Sequence, residues 1–197
     1  YANEDSGQPY SFSADGSEIF VGSALGTDRV RLVAVDVATG SERVIDEDEE
    51  ADLGGPIISD ATGELLGAVY RRDRLVIHPF DDALARDLDR VRQIHPGDPL
   101  IASSDDDERY WTVVFDDDRD PGATYLFDRP TGESRLLFRS RPWLVAEHLA
   151  ERRPVRITSR DGLTLRCYLT LPVGVPERDL PMVLLVHGGP WARDVYG

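Results

Sequence analysis

The chain has 197 residues, of which 41% are hydrophobic, so it can bury a core and is not a disordered segment. Its formal net charge of −15 argues against nucleic acid or an anionic membrane surface as a partner, because both are bound through clustered positive charge. The single cysteine, Cys167, excludes an intrachain disulfide and a zinc site built on cysteines.

Two features of the sequence bear on its location. No apolar run is long enough to span a membrane, and no signal peptide is present, which favours the cytoplasm. However, the chain starts at Tyr1 without an initiator methionine, so we expect it to begin in the middle of a protein, and the absence of a signal peptide is weak evidence for its location.

The first two thirds of the chain repeat a pattern of short strands separated by polar turns. Thr-Gly turns end at Gly40 and Gly132, which are 92 positions apart, or two periods of about 46. This period is typical of a β-propeller blade with four antiparallel strands. A β-sandwich also has short strands, but it would not repeat these turns. The pattern predicts about three blades, and a closed ring needs more.

Two segments of this region are predicted to be helical. Residues 81–91, at the end of the middle unit, have apolar residues at helical spacing. Residues 144–153 resemble a short linker helix. We therefore expect the last blades of a propeller over residues 1–143, a linker over 144–153 and a second domain over 154–197.

The second domain begins with a predicted β-hairpin and continues to a buried strand. The Asp161-Gly162 pair separates two β-rich runs, which is a strong hairpin signal. Cys167 lies within the alternating second run, where a packed strand residue is favoured over a reactive nucleophile. The run 182–186 (Met-Val-Leu-Leu-Val) is continuously apolar, which predicts a strand covered on both faces, as in a parallel sheet flanked by helices.

A possible catalytic motif follows this predicted strand: His187-Gly188-Gly189-Pro190. Paired glycines at the end of a strand let the backbone turn sharply and present its N–H groups to a ligand. In α/β-hydrolases the loop at this place supplies one donor of the oxyanion hole. The same four residues could also form a plain turn with a buried histidine, and alone they do not separate the two interpretations.

The wider sequence resembles the prolyl oligopeptidase family, in its dipeptidyl and acylaminoacyl peptidase branch. The run His187-Gly188-Gly189-Pro190-Trp191-Ala192-Arg193-Asp194 resembles that family's signature. Segments 159–162 and 168–172 resemble its first hydrolase hairpin, and segments 126–129 and 138–144 its last blade and exit. The resemblance implies a mostly β fragment, consisting of a partial propeller followed by the first strands of an α/β-hydrolase domain.

The resemblance carries only part of an active site onto this chain. It implies that the Gly189 N–H belongs to the oxyanion hole, that Gly188 is part of the loop, and that His187 lies beside the hole and is not the general base. No residue of this chain matches the nucleophile, base or acid of the family. The sequence contains no Gly-x-Ser-x-Gly motif. The nearest run, Gly22-Ser23-Ala24-Leu25-Gly26, has its serine at the second position and not the third. We therefore expect this chain alone to be inactive.

The resulting hypothesis is a fragment of a serine peptidase that cleaves short peptides through an acyl-enzyme, needs no cofactor or metal, and uses the propeller as a gate. The alternatives are an esterase or lipase on the same fold, and a non-catalytic propeller module that binds a protein or peptide. We expect the open sheet edges to be covered by the rest of the enzyme or by another copy of this chain.

Other polar residues receive a structural interpretation. The acidic runs 46–52, 105–108 and 116–120 could bind calcium, but they lack the spacing of an EF-hand loop and are expected to be solvated turns. His78, His95 and His148 have no metal-ligand spacing and are assigned no role.

Overall fold

The computed structural model describes residues 7–120, 122–189 and 192–196. Within these ranges the chain forms thirteen strands in four antiparallel sheets, one α-helix and a single short 3-10 helix. The first three sheets follow one another along the chain, and each is built from consecutive strands. This order confirms the predicted mostly β fold with blade-like repeats.

The first sheet contains four strands in sequence order: β1 (Gly7–Phe12), β2 (Glu18–Ser23), β3 (Arg31–Asp36) and β4 (Glu42–Asp46). The turns between β1 and β2 and between β3 and β4 are each closed by an aspartate, Asp15 and Asp36. Asp36, for example, accepts hydrogen bonds from the N–H groups of Ala38 and Thr39 at 3.0 and 2.7 Å. Such side-chain contacts explain why aspartate recurs at these turns, and the positive φ of Gly16 and Gly40 explains the glycines.

The second sheet has three strands, and a helix takes the place of the fourth. The strands are β5 (Leu53–Ile58), β6 (Leu65–Arg71) and β7 (Leu75–Pro79), followed by α1 (Asp82–Val91). Asp81 caps the helix by accepting a hydrogen bond of 2.7 Å from the N–H of Leu84. The helix predicted at 81–91 is therefore confirmed, and it buries the side chains of Leu84, Leu88 and Val91.

The third sheet again has four strands: β8 (Asp98–Ser104), β9 (Tyr110–Asp116), β10 (Ala123–Asp128) and β11 (Glu133–Arg139). The inner strand β9 alternates between half-buried and buried residues, whereas every residue of β11 is exposed. This gradient places β11 at the outer edge of its sheet.

Two apolar clusters hold the three sheets together. The first and second sheets meet through Phe20, Leu32 and Ala34 on one side and Ala68 and Tyr70 on the other. Between the second and third sheets lie Ile77, the buried face of α1 and four side chains of the third sheet: Trp111, Val113, Phe115 and Phe127. The sheets therefore pack face to face, as neighbouring blades do.

The helix predicted for residues 144–153 is wrong. Only Ala146–His148 form a turn of 3-10 helix, and the next strand already begins at Arg152. None of the three residues is buried, and no side chain caps the turn. A short helix without packing or a cap is not stable in water, which explains the failure of the prediction.

The predicted hairpin of the second domain is present. It consists of β12 (Arg152–Thr158) and β13 (Thr164–Thr170), paired from Arg152↔Thr170 to Thr158↔Thr164. Gly162 has φ +87° in the connecting turn, a conformation that favours glycine. Cys167 is a half-buried strand residue opposite Val155.

The buried strand predicted at residues 182–186 is not formed in this structure. Within the described ranges this segment pairs with no strand, and its five side chains are 70–92% exposed. A strand needs neighbours that pair with its N–H and C=O groups, and no other described strand runs beside it. The apolar sequence therefore lies open to solvent.

The packing of α1 against the third sheet can be tested with one core substitution. Leu88 is fully buried in this cluster, so Leu88→Ala should lower the free energy of unfolding of the chain by about 2–5 kcal/mol. Leu136→Ala on the exposed strand β11 is the matched control and should change it by less than about 1 kcal/mol. Urea unfolding measures both, and equal losses would contradict the assigned core.

Candidate functional site

The His-Gly-Gly loop is exposed, and its backbone is open to approach. His187 places Nδ1 2.6 Å from the carbonyl oxygen of Gly188, so Nδ1 donates within the loop. A Cβ added to Gly188 would meet no heavy atom within 4 Å, and Gly189 has φ +155°. The next motif residues, Pro190 and Trp191, lie outside the described residues. The glycine backbone can therefore be reached by a ligand from solvent.

The segment after this loop rests on the turn between β6 and β7. The Arg193 guanidinium donates from its two terminal nitrogens to the carbonyl oxygens of Arg71 and Arg72, both at 2.9 Å. The Arg74 guanidinium lies 3.8 Å from the centre of the Tyr196 ring. The β6–β7 turn therefore contacts residues 193–196 at both of its ends, through Arg71 and Arg72 at its start and through Arg74 at its end.

The β12–β13 hairpin is attached to the same turn by ion pairs. Arg156 contacts Glu50 at 3.1 Å and Asp73 at 3.2 Å, and Arg166 contacts the same two carboxylates. The Tyr168 hydroxyl donates to the carbonyl oxygen of Asp73 at 2.8 Å. We call Glu50, Asp73, Arg156 and Arg166 the hairpin cluster.

The hairpin cluster affects the ionisation of Glu50. Hydrogen bonds from Arg166 and then Arg156 hold the pKa of the Glu50 carboxyl below its ordinary value. Both arginines lie on the hairpin and Glu50 lies between the first and second sheets, so this ion pairing joins the predicted propeller and hydrolase regions. The chain positions of these partners, more than 100 residues apart, give no local sequence signal.

A small cavity of about 60 Å³ lies beside the β6–β7 turn. Its lining includes Asp98 and Asp116, which are register partners on β8 and β9, and Tyr196. Burial, with the neighbouring Asp98 carboxylate, raises the pKa of Asp116. Burial also raises the pKa of Tyr196 to about 12, against the opposing effect of Arg74.

The histidines outside the loop contact aspartates. His78 places Nδ1 2.8 Å from Asp46, and His95 places Nε2 3.4 Å from Asp120. His95 also accepts a hydrogen bond from the Gly97 N–H at Nδ1. These contacts give His78 and His95 structural partners, while the absence of a functional role for the three histidines stays a prediction.

The acidic runs form turns closed by their own backbone. Asp48 accepts hydrogen bonds from the N–H groups of Glu50 and Ala51, and Asp117 does the same for Arg119 and Asp120. In the run 105–108, Asp105 accepts from the Tyr110 N–H. Within the described ranges no group of three or more His, Cys, Asp or Glu is placed to hold a metal ion.

The described residues contain no catalytic triad. No hydrogen bond joins a serine hydroxyl to a histidine within the described part of the chain, and the sequence lacks a Gly-x-Ser-x-Gly run. The structure therefore places His187, Gly188 and Gly189 in one accessible loop and brings no other predicted site residue to them. It adds the contact of Arg193 with the β6–β7 turn, which no sequence pattern indicated.

Comparison with known proteins relates this geometry to a family. The chain is 37% identical over 198 residues to dipeptidyl aminopeptidase BIII of Pseudoxanthomonas mexicana, an alignment covering 96% of this chain and 28% of that protein. Prolyl oligopeptidase B of Galerina marginata superimposes with a TM-score of 0.56 at 16% identity, over 86% of this chain and 25% of that one. The chain belongs to the prolyl oligopeptidase family.

A second curated protein and a second solved structure are also similar to this prolyl oligopeptidase family chain. Dipeptidyl peptidase family member 6 of Caenorhabditis elegans is 28% identical over 173 residues, covering 76% of this chain and 23% of that protein. A structure from a study of two prolyl endopeptidases superimposes with a TM-score of 0.58 at 18% identity, over 86% of this chain and 25% of that one. The chain thus spans about a quarter of the length of its relatives.

No family model matches the chain. Among the described residues there is no helix with the length and apolar character needed to cross a membrane.

The hairpin cluster predicts a pH dependence for the attachment of the hairpin. The pKa of Glu50 in the folded chain lies below the unfolded value of 4.5, so its stabilising contribution is complete above 4.5 and is lost as the pH falls through the folded pKa. Amide hydrogen exchange of residues 152–170, corrected for intrinsic rates, should accelerate over that range.

Two variants check this assignment. Glu50→Gln cannot titrate and should remove most of the additional acceleration, whereas Glu133→Gln on the exposed strand β11 should retain it. An unchanged pH response in Glu50→Gln would show that Glu50 does not control the attachment.

Proposed function

We propose that the intact protein carrying this chain is a serine peptidase that hydrolyses short peptides through an acyl-enzyme. The observation that carries the proposal is the His187-Gly188-Gly189 loop, exposed directly after an apolar segment in a chain 37% identical to a dipeptidyl aminopeptidase. In an α/β-hydrolase such a loop contributes a backbone N–H to the oxyanion hole.

The proposed role of the chain in the reaction is electrostatic. A serine supplied by the remainder of the protein attacks the peptide carbonyl while a histidine takes its proton, and an aspartate orients that histidine. The Gly189 N–H donates to the oxygen on which negative charge develops. The histidine then protonates the departing amine, and water hydrolyses the ester by the same route.

His187 does not act as the base in this proposal. Its Nδ1 donates to the carbonyl oxygen of Gly188, so the ring is engaged in the geometry of its own loop. We assign it the role of holding the glycine backbone beside the oxyanion hole. This interaction favours a loop conformation that exists before the substrate binds, which is the condition for efficient oxyanion stabilisation.

The three sheets have a proposed role as part of a gate. In this proposal they are consecutive blades of a propeller that covers the active site and admits small substrates. Support comes from the face-to-face stacking of the sheets and from the contact between the second sheet and the segment that follows the loop. The substrate class of short peptides rests on this covering role.

The apolar segment 182–186 has a proposed partner in the remainder of the same protein. Its five side chains are 70–92% exposed, and the chain spans only 28% of its relative dipeptidyl aminopeptidase BIII. Exposed apolar strands of this kind promote association. We therefore assign the covering surface to further strands and helices of the hydrolase domain, rather than to a second copy of this chain.

The role of the Gly189 N–H can be tested in the intact protein with two substitutions. Gly189→Pro deletes the donor and should lower kcat by about 10²–10³-fold with a much smaller change in KM. Gly189→Ala keeps the N–H but introduces a side chain at φ +155°, so it measures the effect of backbone strain alone. It should retain much more activity than the proline variant.

The assay uses peptide p-nitroanilides and p-nitrophenyl esters, with circular dichroism to check folding. The 197-residue chain by itself serves as the blank and should turn over neither substrate, because its sequence contains no Gly-x-Ser-x-Gly run to supply the nucleophile. A folded proline variant with near-normal kcat would refute the role of Gly189. Turnover by the purified short chain that a fluorophosphonate blocks would refute the missing nucleophile.

Covering of the segment 182–186 can be measured by amide hydrogen exchange. These amides should exchange rapidly in the 197-residue chain and slowly in the intact protein, since a strand within a sheet is protected by its neighbours. Light scattering measures the oligomeric state of both samples and so shows whether protection arises within one molecule or between two copies. Fast exchange in the intact protein would contradict the proposal, and protection of the short chain only in its dimer would favour a second copy as the partner.

A further inference from the structure

We infer that Arg193 is a positioning residue that ties the His-Gly-Gly loop to the β6–β7 turn of the second sheet, an inference that rests on the proposed function of that loop. Its two terminal nitrogens donate to the carbonyl oxygens of Arg71 and Arg72, each at 2.9 Å. The planar guanidinium can bridge two consecutive carbonyls, whereas a lysine ammonium cannot present the same fork.

The short chain distance makes this tie effective. Four residue steps separate Gly189 from Arg193, and an extended chain covers at most about 14 Å over that length. Fixing Arg193 on the turn therefore restricts the volume that Gly189 can occupy. Gly189 is bonded to Gly188, whose carbonyl oxygen accepts a hydrogen bond from His187, so the restriction extends to these two residues.

The segment beyond Arg193 is fixed on the same surface. The Val195 carbonyl oxygen accepts a hydrogen bond of 2.8 Å from the Arg152 side chain, and the Tyr196 ring lies under the Arg74 guanidinium. Arg74 itself is held by Asp98 at 2.8 Å. Three successive contacts therefore hold residues 193–196 against the blade and the start of the hairpin.

The turn that receives Arg193 is itself well anchored. Asp73 at its centre binds Arg156 and Arg166, and its carbonyl oxygen accepts from Tyr168. Arg72 pairs with the buried carboxylate of Asp48 at 2.9 Å. The arginines of the turn are thus neutralised by acidic partners, so its backbone carbonyls can accept a further guanidinium at little electrostatic cost.

The consequence is a specific function for the blade in catalysis. By fixing Arg193, the second sheet sets the position of an oxyanion donor that lies in the other domain. A displacement of about 1 Å at such a donor can lower the rate by about 100-fold. The contact thus couples the position of the propeller to kcat rather than to substrate affinity.

The test compares four forms of the intact protein: the parent, Arg193→Met, Arg193→Lys and Arg178→Met. Arg178 is an exposed arginine with no partner among the described residues, which makes it the matched control. We expect Arg193→Met to lower kcat by about 10–100-fold with KM within about threefold of the parent. Arg193→Lys should fall between them, and Arg178→Met should match the parent.

A second readout separates this inference from the proposed function. Amide exchange of residues 187–189 should accelerate in Arg193→Met and remain unchanged in Arg178→Met, whether or not the protein is a peptidase. An inactive parent would refute the proposed function while the exchange data still test the tie. Parental kcat and parental exchange in folded Arg193→Met would overturn the inference, as would a change confined to KM.

Discussion

The second sheet is buried on both faces, and the rest of the structure depends on this arrangement. Ala68 and Tyr70 pack against the first sheet, while Ile77 and the apolar face of α1 pack against the third. Alternation along β7 sends Val76 to one cluster and Ile77 to the other, as the period of two in a strand requires. The position of its β6–β7 turn is therefore fixed by packing on both sides.

This turn connects the repeating sheets to the domain that follows. Hydrogen bonds and ion pairs from the hairpin and from residues 193–196 converge on Arg71, Arg72, Asp73 and Arg74. The contacts are polar and partly exposed, so individually each contributes little to stability. Because several such contacts converge on one turn, together they fix the orientation of the attached segments. This arrangement suits an interface that positions a loop without burying a large apolar area.

Much of the fold could be predicted from local sequence signals. Strand alternation, the aspartate-closed turns and the Asp161-Gly162 pair identified the repeating sheets and the hairpin, because each signal acts within a few residues. The helix predicted at 144–153 failed since helical composition cannot replace packing and a cap. The strand predicted at 182–186 failed for a different reason. Its apolar sequence suits a buried strand, but the described residues provide no strand for it to pair with.

The candidate site was predicted only in part for the same physical reason. The His187-Gly188-Gly189 loop is a contiguous motif, so the sequence identified it directly. Arg193 contacts carbonyl oxygens more than 120 residues away in the chain, and a backbone acceptor has no residue type that could mark it in a sequence. Similarly, the pairing of Arg156 and Arg166 with Glu50 and Asp73 follows from how the sheets stack.

The central claim is that the Gly189 N–H stabilises the oxyanion of a peptidase. The most direct measurement is a crystal structure of the intact protein with its nucleophile trapped by a peptide boronate or fluorophosphonate. The account predicts that the oxygen which mimics the oxyanion lies about 2.7–3.1 Å from the Gly189 nitrogen, with the N–H directed at it. A trapped adduct whose oxygen is bound entirely by other donors, with the Gly189 N–H turned away, would contradict the account.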